Sequence, residues 1–139
     1  MDEFINRLIN AAEQGIQNAT VKTAFLLEGE NKRQAPVDTS RLKNSIYTSV
    51  DKPNYLAEVK SRTFYANYVI YGTGIYNTRG VNRTSGWYYH VSDSSSKYYG
   101  WHYTHGQQAN DFPQQAYDNQ RDQISRILDS EINKALSNL

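Results

Sequence analysis

A helical pattern stops at Pro36 and a strand pattern opens at Ile46, and the stretch between them constrains the chain more than any other. Proline fixes its own φ and pushes Ala35 out of the α region, so a helix arriving from the N-terminal side has to end there. Asp38, Thr39 and Ser40 then offer side-chain oxygens to backbone N–H groups, the chemistry of a cap or tight turn. Arg41 and Lys43 alternate with Leu42 and Asn44 before Ser45-Ile46 begins a β-like run. Pro36, Asp38, Thr39 and Arg41 are expected to form a rigid corner that turns a helix into a sheet. An ordinary helix-to-strand connection accounts for the same residues.

Upstream of the corner, Ile5, Leu8, Ala12, Ile16, Ala19, Thr23 and Leu26 recur at three- and four-residue steps. That spacing predicts an amphipathic helix over 2–30. Gly15 costs about 1 kcal/mol there relative to alanine without breaking the period, and Gly29 is a candidate for a left-handed C-terminal cap. Downstream, Ile46, Thr48 and Val50 alternate with Tyr47 and Ser49. After a turn at 51–54, Tyr55, Ala57, Val59 and Ser61 alternate with Leu56, Glu58, Lys60 and Arg62. Such alternation predicts a β-hairpin with one buried and one charged face. An apolar, aromatic segment, Phe64–Tyr71, ends in Gly72-Thr73-Gly74, a sharp exit from a buried element. Residues 75–86 are polar and rich in turn formers and read as a flexible loop. Trp87–Val91 and Tyr98–Tyr103 flank the polar stretch 92–97 as a second hairpin. Asp111-Phe112-Pro113 has the character of a helix start. Ala116, Gln120, Ile124, Ile127, Leu128, Glu131, Ile132, Ala135 and Leu139 continue it as a stripe. The expected fold is α+β, one domain over 1–139. An antiparallel sheet of about four to five strands (two hairpins, within 42–104) is packed by the N-terminal helix and by a C-terminal helix over 112–137.

Composition narrows the function. The chain has 139 residues, a formal net charge of +1 and no cysteine, which leaves no disulfide framework or thiolate metal site and argues against a strongly basic nucleic-acid binder. Charge is uneven: within 51–110, Lys52, Lys60, Arg62, Arg79, Arg83 and Lys97 outnumber Asp51, Glu58 and Asp93, whereas 111–139 is net acidic. No apolar run approaches the ~20 residues that span a bilayer. The acidic start, Met1-Asp2-Glu3-Phe4, lacks a signal-peptide core, so synthesis and first use are expected in the cytoplasm. Twelve tyrosines and two tryptophans stand against one methionine. These side chains carry large apolar area with a polar handle and suit strands and wet interfaces. Tyr68, Tyr71, Trp87, Tyr88 and Trp101 are the candidate interface aromatics.

Chemistry-bearing constellations are sparse. His90, His102 and His105 fall close together, and His90 and His102 would meet if they faced each other across the second hairpin. With Asp93 the nearest further ligand, a metal centre is not expected. No nucleophile elbow, phosphate-cradling lysine loop or paired-carboxylate site is visible. The chain is accordingly expected to be no enzyme and to hold no cofactor or metal. Arg79 and Arg83, on a loop with two glycines and no acid, are candidates for contact with a neighbouring subunit or with phosphate, against the plainer reading of a solvated face.

Taken in order, these blocks resemble a family. Ala35-Pro36-Val37-Asp38-Thr39-Ser40-Arg41-Leu42-Lys43-Asn44-Ser45-Ile46, Tyr65-Ala66-Asn67-Tyr68-Val69-Ile70-Tyr71-Gly72-Thr73, Gly86-Trp87-Tyr88-Tyr89, Trp101-His102-Tyr103-Thr104-His105-Gly106-Gln107 and Phe112-Pro113-Gln114-Gln115-Ala116, after a long N-terminal helix, resemble the tail-completion or head–tail joining proteins (minor tail components) of long-tailed bacteriophages. The family commonly has glycine where this chain has Ser40, glutamate where it has Ile70, and prolines where it has Asp111 and Gln115. The resemblance implies a structural virion protein of a siphovirus neck or connector, assembled in the host cytoplasm. It would complete the head-proximal end of the tail as a ring of six copies around the DNA channel. The implied partners are itself, the head-closure or stopper protein, the tail terminator, and the tail tube or tape measure. DNA would make at most a passing contact, and no membrane is involved. The competing reading is an assembly chaperone or nucleic-acid-binding accessory protein that does not stay in the virion.

Overall fold

The computed structural model describes residues 2–36, 40–80 and 83–139. Helix α1 spans Asp2–Gln34, α2 Arg41–Ser45, α3 Ala66–Tyr71 and α4 Phe112–Ser137. Strands β1 (Ile46–Asp51), β2 (Leu56–Ser61), β3 (Trp87–Val91) and β4 (Gly100–Thr104) complete the α+β set, with 3-10 turns at Lys52–Asn54 and Gly74–Tyr76. The chain divides into two compact units. One comprises residues 1–63 with 112–139, and the other residues 64–111.

In the first unit, α1 and α4 lie antiparallel. Gly15 of α1 sits under Ile132 and Ala135, Lys22 pairs with Glu131, and Glu30 meets Asn119 and Gln120. Gly15 permits the close approach: a Cβ there would stand 3.0 Å from the Ile132 Cα and 3.1 Å from the Glu131 carbonyl oxygen. The helix-breaking cost of that glycine is thus offset by backbone packing. Small residues dominate the core, with Ala19, Ala24, Ala35 and Ala116 buried alongside Leu42, Ile46 and Phe112. The expected α1 stripe is buried only in its middle; Ile5, Leu8 and Ile16 are exposed.

Helix α1 runs past the expected end at 30. Gly29 is interior to it and caps nothing. The next residue, Glu30, is buried and accepts hydrogen bonds from Arg33 and Gln34, which extend the helix by one turn. The stop comes where Pro36 demands it. At the corner, Ser40 takes a left-handed conformation (φ 59°) with no side-chain capping bond, and its carbonyl accepts the Asn44 N–H. The capping expected of Ser40's hydroxyl is therefore replaced by backbone geometry, while Asp38 and Thr39 lie outside the described residues.

β1 and β2 form a hairpin in the register Ile46↔Ser61 to Asp51↔Leu56, and it packs on α1. Ser45, Ser61 and Thr63 close its open end through hydroxyl–hydroxyl contacts of 2.7 and 3.0 Å. β3 and β4 form a second, separate hairpin in the other unit. The single sheet of four to five strands is therefore corrected to two sheets of two strands each. The physical reason lies in the aromatic segment after β2. Its buried residues, Ala66 and Val69, are three apart, and it coils into α3 with Tyr68 left exposed, so no strand follows β2 to extend its sheet. α4, likewise, packs chiefly against α1 rather than against a sheet.

Candidate functional site

The second unit is organised by glycines. Gly72-Thr73-Gly74 runs beside His105-Gly106-Gln107. Thr73 N–H donates to the Gln107 carbonyl at 2.9 Å, Ile75 N–H to the His105 carbonyl at 3.0 Å, and Gln107 N–H to the Thr73 hydroxyl at 2.8 Å. Two positions require the missing side chain. At Gly74 (φ 64°) a Cβ would stand 2.3 Å from the His105 oxygen and 2.6 Å from the Trp87 ring; at Gly106 (φ 107°) it would stand 2.2 Å from the Thr73 oxygen. Asn110 N–H closes the unit on the Val69 carbonyl at 2.9 Å.

This brace carries the β3–β4 hairpin, whose register sorts its rings onto two faces. Tyr88 lies opposite Tyr103 and His90 opposite Trp101, while Trp87 opposes Thr104 and Tyr89 opposes His102. The first face is an aromatic ladder. Tyr88–Tyr103 and His90–Trp101 ring centres are 5.0 Å apart, His105 extends it beside Tyr103 at 5.1 Å, and Tyr99 extends it beside His90 at 5.7 Å. Cross-strand aromatic pairs stabilise a hairpin, yet these rings remain open to solvent, with Tyr88 70% and Trp101 72% exposed. A contiguous exposed surface of this kind is the candidate interaction site of this unit. On the other face Tyr89 stacks on His102 at 5.4 Å, and the His102 Nε2–H is directed to the Tyr98 carbonyl.

Among the sequence candidates, Tyr88 and Trp101 share the exposed face, but Trp87 belongs to the opposite one, where Arg83 lies over its ring at 4.4 Å. Tyr71 is half-buried beneath Arg79, 4.9 Å from the ring centre, and Tyr68 is exposed on α3. The two arginines offered as loop charges thus each stack on an aromatic ring of their own unit, a cation–π contact. The loop over 75–86 is more ordered at its start than its composition implies. Gly74–Tyr76 is a 3-10 turn, and Thr78 bonds the Tyr71 carbonyl through both its N–H and its hydroxyl. His90 and His102 point to opposite faces of the hairpin and do not converge. Tyr99, Tyr103, His90 and His105, absent from the candidate interface aromatics, complete the ladder; the two-residue strand period applied to Tyr88/His90 and Trp101/Tyr103 is the signal for them. No group of three or more His, Asp or Glu that would hold a metal ion occurs among the described residues.

No curated protein and no solved structure matches the chain. A family model described as "Bacteriophage HK97-gp10, putative tail-component" matches residues 1–72, from α1 through the corner and first hairpin to Gly72. With that match covering half of its length, the chain belongs to the HK97-gp10-like family of bacteriophage tail components.

Proposed function

We propose that this tail component is a structural virion protein that completes the head-proximal end of the tail and enables head–tail joining. In this reading six copies form a ring around the DNA channel and contact the head-closure and tail-terminator proteins and the tail tube or tape measure. The protein acts through surfaces and carries out no catalysis. The family match over residues 1–72 carries the reading. The ladder of Tyr88, His90, Trp101 and Tyr103 supports it, because the aromatic area that a monomer leaves open to solvent is buried against a neighbour in a ring. Arg79 and Arg83, already stacked on Tyr71 and Trp87, sit better at a protein–protein contact than as free cations for passing DNA.

The test is a Tyr88→Ala/Trp101→Ala pair in the phage genome. Mass spectrometry of purified particles should find the wild-type protein at a handful of copies. The variant should give full heads and tails that fail to join while circular dichroism shows the purified protein still folded. Wild-type particles that contain none of the protein would overturn the virion reading in favour of a chaperone. Reversing the charges of Arg79 and Arg83 separates two roles: unjoined tails indicate protein contact, and joined particles that mis-eject DNA indicate the lumen.

A further inference from the structure

Two apolar surfaces of the first unit lack a partner, and they match. The first is the beginning of α1. Asp2–Asn10 are all exposed, and four of these residues are large and apolar: Phe4 (55% exposed), Ile5, Leu8 and Ile9 (50%). Phe4/Leu8 and Ile5/Ile9 are i,i+4 pairs, so they form one stripe. The second is a groove of about 460 Å³ between α1, α4 and β2, walled by Thr23 and Leu27, by Tyr117, Ile124 and Leu128, and by Val59.

The lengths agree. At about 1.5 Å per residue the exposed helix end is roughly 13 Å long, and the α1 wall of the groove, from Thr20 to Asn31, is roughly 16 Å. A helix laid by its apolar stripe into such a groove is a recurring mode of recognition. The end of α1 cannot reach its own groove. It is continuous with the groove wall in one helix, with Phe4 roughly 22 Å and Ile9 roughly 15 Å from Ala19 along the axis.

We propose that the exposed apolar end of α1 in one copy seats in the α1–α4–β2 groove of a second copy. The contact is heterologous: every copy donates a helix end and offers a groove, so it propagates and either closes as a ring or extends as a filament. Three turns of helix bury far less than the ~800 Å² per partner of a stable complex. The contact is therefore weak between two copies and gains strength when several are held together. Closure into a ring rests on the tail-completion reading; the pairwise contact stands apart from it.

The cysteine-free chain permits a direct test. Ile9→Cys and Leu128→Cys chains, distinguished by a tag, are mixed at high concentration and mildly oxidised. Both positions are half exposed, and Tyr117→Cys provides a second groove position should Leu128→Cys lose its fold by circular dichroism. The mixed disulfide should form about tenfold faster than that between Ile9→Cys and Phe64→Cys, a control in the other unit, reflecting a raised effective concentration. Adding Phe4→Glu to the Ile9→Cys chain should erase the excess. Equal rates for groove and control cysteines, or an Ile9→Cys homodimer outpacing the mixed product, would overturn the proposal. Particle mass spectrometry keeps the two ideas separable: a protein present in particles without this cross-link sinks the groove contact alone, and a cross-link formed by a protein absent from particles sinks the virion role alone.

Discussion

Glu30 accepts five side-chain hydrogen bonds, two of them from α4, and sets up an acid-dependent stability. Its buried carboxylate accepts from Arg33 through Nε and the terminal guanidinium nitrogen, from Gln34 at 3.1 Å, and across to α4 from Gln120 at 3.0 Å and Asn119 at 3.3 Å. Gln34 first, then Arg33, hold its pKa down from 4.5 to about 2. Burial opposes them, and the hydrogen bonds from Gln120 and Asn119 lower it a little further. At about 1.36 kcal/mol per pKa unit the depression sets a ceiling of about 3 kcal/mol. Arg33 is 65% exposed, and solvent screens its share, so about half of that, near 1.5 kcal/mol, is the expected contribution. Because the folded-state pKa is the lower one, this stability is fully present above pH 4.5 and drains away as pH falls toward 2. Glu30→Gln keeps the shape and leaves Arg33 in water rather than buried. Urea unfolding followed by circular dichroism should therefore find it about 1.5 kcal/mol less stable than wild type at pH 6, with the gap shrinking to a few tenths near pH 2. Carboxylates common to both proteins cancel in the comparison, including Glu131, whose pKa is lowered by Lys22. A gap that is constant with pH, or absent at pH 6, would refute the reasoning.

Ser40→Gly relieves a left-handed residue (φ 59°). After the entropy glycine adds to the unfolded chain, it should stabilise by about 0.5–1 kcal/mol, read as a rise of a few degrees in melting temperature. Gly15→Leu forces a side chain between α1 and the Ile132 backbone and should cost more than about 2 kcal/mol by the same assay. Gly74→Ala places a Cβ on the His105 oxygen and the Trp87 ring; the aromatic near-ultraviolet circular dichroism of the hairpin should collapse while the far-ultraviolet helical signal of α1 and α4 persists.

Both long helices and the first hairpin were legible from their periods, three to four residues in α1 and α4 and two in β1–β2, and the second hairpin from two aromatic runs around a polar stretch. Pro36 stopped α1 as expected, but Gly29 misled: glycine marks a cap only where the next residues have nothing to hold them, and Glu30 is held. How strands join into sheets was not legible. The alternation in β1–β2 says which face of that hairpin turns inward, and the aromatic runs of β3–β4 mark a second hairpin, but neither says whether the hairpins share an edge. The exposed ladder was half legible. Tyrosine and tryptophan content flags the region, but content alone does not separate Trp87 from Tyr88, which as neighbours along a strand face opposite ways. The roles of Arg79 and Arg83 were hidden for a similar reason, since stacking on Tyr71 and Trp87 depends on how the chain turns back and leaves no periodic trace.

Helix α4, which completes the first unit, is made only after α1 and the whole second unit. Residues 35–111, including the whole second unit, are synthesised between α1 and the partner that covers it. During synthesis α1 therefore waits with its Ala19–Ala24 face uncovered, and its packing closes a long loop at an entropic cost that grows with the logarithm of loop length. Dominance of such distant pairings slows folding. A chain cut off just before Phe112 would hold every residue of the second unit and an unpaired α1, a species suited to capture by a chaperone or by a neighbouring chain.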